Sequence, residues 1–164
     1  MAANKSEIKE TINVSKERVW HLLFNQYGDI HQHNPTMIAS HYLDQASEGA
    51  LNCVRHCKFS EKLFLDEKIS AIEENKRITI NVTKHNLPFV KDMSATYDLI
   101  ALDEHKTEVH MTSYVSTSPS FMIHLMKGQM GKSLVKHLFG MKYHLETGKT
   151  VDMKNYNETL KNYV

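Results

Sequence analysis

Hydrophobic and polar positions alternate with period two over residues 7–14 (EIKETINV), placing Ile8, Glu10, Ile12 and Val14 on one face of a strand. The period then changes. Ser15 stands at an N-cap position, with Glu17 in the first turn. Residues 16–25 put Val19, Leu22 and Leu23 on one helical side, with Trp20 beside them. Residues 27–38 are turn-rich and broken by Pro35, which predicts a second short helix or helical turn.

Six strand-like stretches follow, over residues 39–44, 50–59, 63–73, 77–84, 93–102 and 107–117, separated by short polar turns. Consecutive strands with short connections predict an antiparallel meander. Residues 120–147 return to the helical period after Pro119, with Ser118 and Ser120 as cap candidates. At 1.5 Å per residue this helix spans about 42 Å. Met122, Met126, Met130, Leu134 and Leu138 form its apolar stripe, widened by Ile123, Met141 and Leu145. Gly148 is placed to end it. A last short helix over residues 152–164 would align Tyr156, Leu160 and Val164. Strands grouped beside a terminal helix predict an α+β fold in which the helix covers one sheet face.

The length, 164 residues, suits one domain spanning residues 1–164. Apolar residues make up 41% and charged residues 24%, so the chain can build a core and is not of the disordered class. Twenty basic side chains against nineteen acidic ones leave no basic excess for a nucleic-acid partner. No apolar run approaches the roughly 20 residues of a membrane span. The opening MAANKSEIKE lacks the apolar core of a secretory signal, which predicts a cytoplasmic protein.

Cys53 and Cys57 lie four apart on an expected strand, so their Cα atoms stand about 13 Å apart, too far for a disulfide. Eleven histidines invite a search for metal spacing. There is no HExxH, and His31 and His33 are two apart, on opposite sides of a helix. His137 and His144 share a helix face without an evident third ligand. No metal and no cofactor are expected.

The strands offer candidate chemistry by parity. Leu51, Cys53, Arg55, Cys57 and Phe59 share the more apolar, inward face of one strand, and Leu63, Leu65, Glu67, Ile69 and Ala71 share a face of the next. Each brings one charge, of opposite sign. A buried lone charge is costly, so Arg55 and Glu67 are expected to pair inside; the alternative is that one of them reaches solvent at the sheet edge. Met93, Ala95, Tyr97, Leu99 and Ala101 form a third face, and Val109, Met111, Ser113 and Val115 a fourth. Tyr97 and Ser113 bring hydroxyls that need partners. The helix stripe adds adaptable thioethers, with Ser133, His137 and His144 within its arc. Gly128 and Gly131 either weaken and bend the helix or mark close packing. An apolar pocket with a few polar groups is the usual small-molecule site. The candidate ligand-binding set is Arg55, Glu67, Tyr97, Met111, Ser113, Met122, Met126, Met130, Leu134 and His137. A methionine stripe at helical spacing is, however, more often plain core than a binding site.

These segments resemble the SRPBCC superfamily, the START-like or helix-grip proteins, and most closely its polyketide cyclase/dehydrase branch. The resemblance runs from Ile8 to about Gly148 through INVSKERVWHLL (12–23), GALNCVRHCKFSEKLFLDEKI (49–69), NLPFVKDMSATYDLIAL (86–102) and TEVHMTSYVST (107–117). The family's V-R and E-hydrophobic pairs fall on Val54-Arg55 and Glu67-Lys68-Ile69, and its L-P on Leu87-Pro88. Where the family frequently has Trp before the second strand this chain has His33-Asn34-Pro35, and near a Trp of the last strand it has Met111. The resemblance implies a curved antiparallel sheet of six or seven strands wrapped around a long C-terminal helix, with two short helices after the first strand. It also implies a cavity for a hydrophobic small molecule such as a lipid or polyketide-like metabolite. Two alternatives accompany that reading. One is a cyclase or dehydratase acting on such a ligand, with Arg55 orienting an oxyanion and Glu67, Tyr97 or His137 moving protons. The other is a protein-interaction module, since some relatives activate a heat-shock chaperone or associate with ribosomes or quinone biosynthesis. Exposed apolar area around Tyr156 and Tyr163 would mark that role.

Overall fold

In a computed structural model, which describes residues 3–43 and 49–163, the alternating segments form seven strands. They are β1 (Asn4–Ile12), β2 (Ala39–Tyr42), β3 (Val54–Lys58), β4 (Phe64–Glu73), β5 (Arg77–His85), β6 (Val90–Asp103) and β7 (Lys106–Thr117). All pair antiparallel in one sheet of order β1-β7-β6-β5-β4-β3-β2. The meander therefore runs β2 to β7 in sequence, and β1 returns to the far edge beside β7. Asp44, at the end of the expected second strand, lies outside the described residues.

Strands β3 and β4 depart from the expected pattern, and β6 shifts register against β7 between Val90 and Asp92 and between Ala101 and Asp103. β3 begins at Val54 rather than at residue 50, because Asn52 takes a left-handed φ of 70° and turns the chain. Leu51, expected on the inward face, is thereby exposed. β4 carries irregularities between Asp66 and Glu67 and between Ile69 and Ala71. A bulge inserts an extra residue and reverses the facing beyond it. Ala71 consequently faces out, and Ile72 packs against the core.

The helix expected over residues 16–25 is α1 (Lys16–Trp20) continued by a π-helical turn, His21–Asn25. Val19, Trp20, Leu22 and Leu23 are buried. Ser15 holds the cap position through its backbone carbonyl, which accepts from Arg18 and Val19 N–H, while its hydroxyl makes no capping bond. The second short element is a 3₁₀ helix, Tyr27–Gln32.

The long helix is α2 (Met122–Thr147), ending in Gly148 at φ 73° with its N–H on the His144 carbonyl. Phe121, not Ser118 or Ser120, precedes its first residue. α2 packs against β1 and β7. Only its second half is buried: His137, Leu138, Phe139, Gly140, Met141 and Leu145. Burial of Leu138 and Met141 stabilises by about 2 kcal/mol each. Gly140 lets the segment after the 3₁₀ helix lie against α2. A Cβ there would strike the His33 carbonyl oxygen and come within 2.6 Å of Pro35 Cδ. The final helix, α3 (Tyr156–Tyr163), packs its Tyr156 with Val151 on Phe139, the outer side of α2. Val164 lies outside the described residues. The main core, including Ile12, Val19, Tyr27, Ile69, Ile78, Val109, Leu138 and Met141, is distinct from a smaller cluster of Ile30, Cys57 and Leu65 under β3 and β4.

Candidate functional site

Register places the polar residues. Tyr42, Arg55, Glu67 and Val82 stand side by side across β2, β3, β4 and β5. A second row across β5, β6, β7 and β1 runs Ile78, Tyr97, Met111 and Ile8, and a third runs Ile80, Ala95, Ser113 and Ser6.

Arg55 and Glu67 pair inside, as their parity requires. Arg55 Nε donates to Glu67 Oε2 at 2.7 Å, and Nη2 lies 2.6 Å from the same oxygen. Nη1 donates to the Tyr27 carbonyl at 2.9 Å, and the guanidinium carbon sits 3.9 Å from the centroid of the Tyr27 ring. Tyr27 closes the loop by donating its hydroxyl to the Glu67 carbonyl at 3.1 Å. Burial works against the Arg55 charge, but Glu67 and then Tyr27 outweigh it and the guanidinium pKa is raised. A buried pair that loses one partner strands a charge, so this unit locks the 3₁₀ segment to β3 and β4. The arginine side chain is 4% exposed and the glutamate side chain 14%. Every hydrogen bond to the Glu67 carboxylate among the described residues falls on Oε2.

Tyr97 and His137 form the second unit. The Tyr97 hydroxyl lies 2.8 Å from His137 Nε2, joining β6 to α2. Both are buried, and His137 Nδ1 has no partner. Burial, with the Arg55 charge second, pushes the His137 pKa down to about 3. Burial raises the Tyr97 pKa. The field of Arg55 thus acts on both groups. Beside them, His33 is wedged between the two helix histidines, with ring centroids 5.9 Å from His137 and 6.1 Å from His144. Its Nδ1 is also buried without a partner, and burial holds its pKa well below the usual imidazole value. Among the described residues no three His, Cys, Asp or Glu side chains are arranged to hold a metal ion. Cys53 and Cys57 are buried free thiols. Burial pushes both thiol pKa values up.

The candidate residues therefore do not form one ring. Arg55 with Glu67, and Tyr97 with His137, are brought together; Met111 and Ser113 are buried on β7 beside Tyr97 and Ala95. Leu134 packs against the main core. Met122, Met126 and Met130 are only half-buried, on the half of α2 that lies beyond the core. The stripe is one continuous pattern in sequence, but only its second half meets the sheet closely. Gly128 and Gly131 are not close-packing points, since a Cβ on either would meet nothing within 4 Å. Periodicity gave no signal for Tyr27 and His33, because both sit in a non-repetitive segment.

At this end of the molecule the inward faces are incompletely covered. Val82 on β5, Met93 and Ala95 on β6, and Glu67 on β4 remain partly accessible, although they share faces with buried residues of internal strands. The β5–β6 pairing runs only from Arg77↔Asp98 to Asn81↔Ser94. Beyond it β5 continues on β4 and β6 continues on β7, so the two strands part between Val82 and Met93.

A seven-stranded antiparallel sheet holding one long C-terminal helix is a recognisable arrangement. This is the helix-grip fold. A protein from Nitrosospira multiformis superposes with a TM-score of 0.69 at 12% identity, over 88% of this chain and 98% of that one. A START superfamily protein from Mycobacterium smegmatis gives 0.66 at 16% identity, over 86% and 98%. The protein Ara h 8.0201 gives 0.65 at 14% identity, over 87% and 97%. No family model and no curated protein matches the sequence. At such low identity the helix-grip likeness establishes the architecture alone, and activity must be argued from the site.

Proposed function

We propose that this helix-grip chain binds an apolar small molecule between the sheet and the first half of α2. The observation that carries the reading is that Glu67, Val82, Met93 and Ala95 stay partly accessible on internal strands, while Met122, Met126 and Met130, which continue the helix stripe beyond the core-packed Leu134, are half-buried. Apolar walls with a few placed polar groups are what such a ligand requires. The parting of β5 from β6 offers an entrance beside Val82 and Met93. The polar end of the ligand would meet Glu67, Tyr97 and His137. Arg55 is already neutralised by Glu67, and the two buried histidines are uncharged near pH 7, so the cluster has no net charge to hold an anion. A neutral ligand bearing a hydroxyl or carbonyl fits better than a carboxylate.

A cyclase or dehydratase activity has less support. A general acid or base works best with a pKa near the operating pH. His137 is pushed down to about 3 and Tyr97 is raised, so the pair is displaced from neutrality in both directions. Two free buried thiols suit a reducing compartment, and no helix among the described residues is long and apolar enough to cross a membrane. The thiols favour the cytoplasm as the compartment, and the reading takes residues 1–164 as a single START-like domain.

The test is native mass spectrometry and thermal shift against sterols, aromatic polyketides and fatty acids. Neutral members should bind and raise the melting temperature, and Met126→Trp should abolish the effect while the protein stays folded. Failure of every class to bind, or binding indifferent to Met126→Trp, would overturn the proposal.

A further inference from the structure

The outer side of α2 is a second apolar face, independent of the ligand reading. Leu125, Gly128, Lys132 and Val135 recur at helical spacing, opposite the Met126–Met130–Leu134 stripe. Leu125 is 73% exposed, Phe121 60% and Val135 50%. Along this side runs a concavity of about 670 Å³, floored at Gly128 and Gly131 and bounded by Val135 and Tyr156. Its rim is basic: His124, Lys127, Lys132 and Lys136. No Asp or Glu occurs between Glu108 and Glu146, and none of the three lysines has an ion-pair partner among the described residues. Lys136 Nζ instead lies 5.3 Å from the Tyr156 ring centroid. Tyr156 and Tyr163 pack on Phe139, and Tyr156 meets the groove only at its edge; the exposed apolar side chains lie on the uncovered continuation of the same helix side.

We propose that this groove receives an acidic amphipathic helix of a partner protein. The seat is continuous with the one α3 already occupies: α3 covers the side of α2 around Phe139, and the groove extends from Tyr156 toward His124. From residue 124 to residue 136 the rise is about 18 Å, enough for about three turns of an incoming helix. The two glycines remove the side chains that would hold a second backbone away. Apolar residues at i, i+3/i+4 and i+7 would lie on Val135 and Tyr156, and flanking carboxylates would reach Lys127, Lys132 and Lys136. A flat anionic bilayer would meet Leu125 and Phe121 but would not enter the glycine floor, so a rod-shaped partner fits better.

The test is selection of a displayed library of helical peptides on the whole protein. Two variants serve for counter-screening. Gly128→Leu/Gly131→Leu fills the floor at two positions where a Cβ meets nothing within 4 Å. Lys127→Glu/Lys132→Glu/Lys136→Glu reverses the rim. Circular dichroism and melting confirm that both fold. The expected result is enrichment of acidic amphipathic helices that bind each variant at least about tenfold more weakly. Recovery of peptides without that pattern, equal binding to the leucine-filled variant, or binding of phosphatidylserine vesicles with no peptide enriched would each overturn the proposal.

Discussion

Acidification should destabilise this protein through its two buried histidines, and the share of His137 can be isolated. His137 is buried between Tyr97 and His33 within the field of Arg55, and its pKa falls from 6.5 to about 3 on folding. A base whose folded pKa is depressed contributes its full stability above the unfolded value and loses it as pH falls toward the folded one. The window therefore runs from about pH 6.5 down to about pH 3. At pH 5 the unfolded imidazole is protonated and the folded one is not. The loss is about 1.5 pH units at 1.36 kcal/mol each, or about 2 kcal/mol. His137→Gln retains a group able to bond the Tyr97 hydroxyl but cannot titrate. Urea unfolding of wild type and variant at pH 7 and pH 5 isolates the effect, because His33 and every other histidine are common to both proteins. The wild type should lose about 2 kcal/mol more than the variant, a midpoint difference of about 1 M urea. Parallel pH dependence in the two proteins would refute the assignment of a buried, neutral His137.

Three further perturbations test the packing. Arg55→Met strands the Glu67 carboxylate and should cost about 3–5 kcal/mol in chemical denaturation, and adding Glu67→Gln should recover most of it, because the expense is the unpaired charge. Gly140→Ala drives a Cβ into the His33 carbonyl and Pro35, and should lower stability by about 1–3 kcal/mol. Gly131→Ala enters open space and should raise stability by up to about 1 kcal/mol through helix propensity; thermal melts of the two variants moving in the same direction would contradict the structure.

Much of this arrangement is legible in the order of residues. Alternation over β1, β3, β6 and β7 and the stripe of α2 follow from backbone periods that act within a few residues. Gly148 ends α2 because a left-handed residue is needed there. The Arg55–Glu67 pair is legible too. Neighbouring antiparallel strands each turned one charge inward, and register did the rest. The bulge of β4 at Ser70 was not legible, since an extra residue changes facing without changing composition, and so Ala71 and Ile72 exchange sides.

Local pattern determined which elements form and which faces seek burial. It did not determine how far along the sheet α2 sits, so it could not say that His137 meets Tyr97 while Met126 stays half-exposed. That depends on the contact of Gly140 with the His33–Pro35 segment, and on α3 covering Phe139. Periodicity is a property of one segment's backbone. The position of a helix against a sheet is set by the shapes of all the surfaces that touch it, and only the assembled chain contains them.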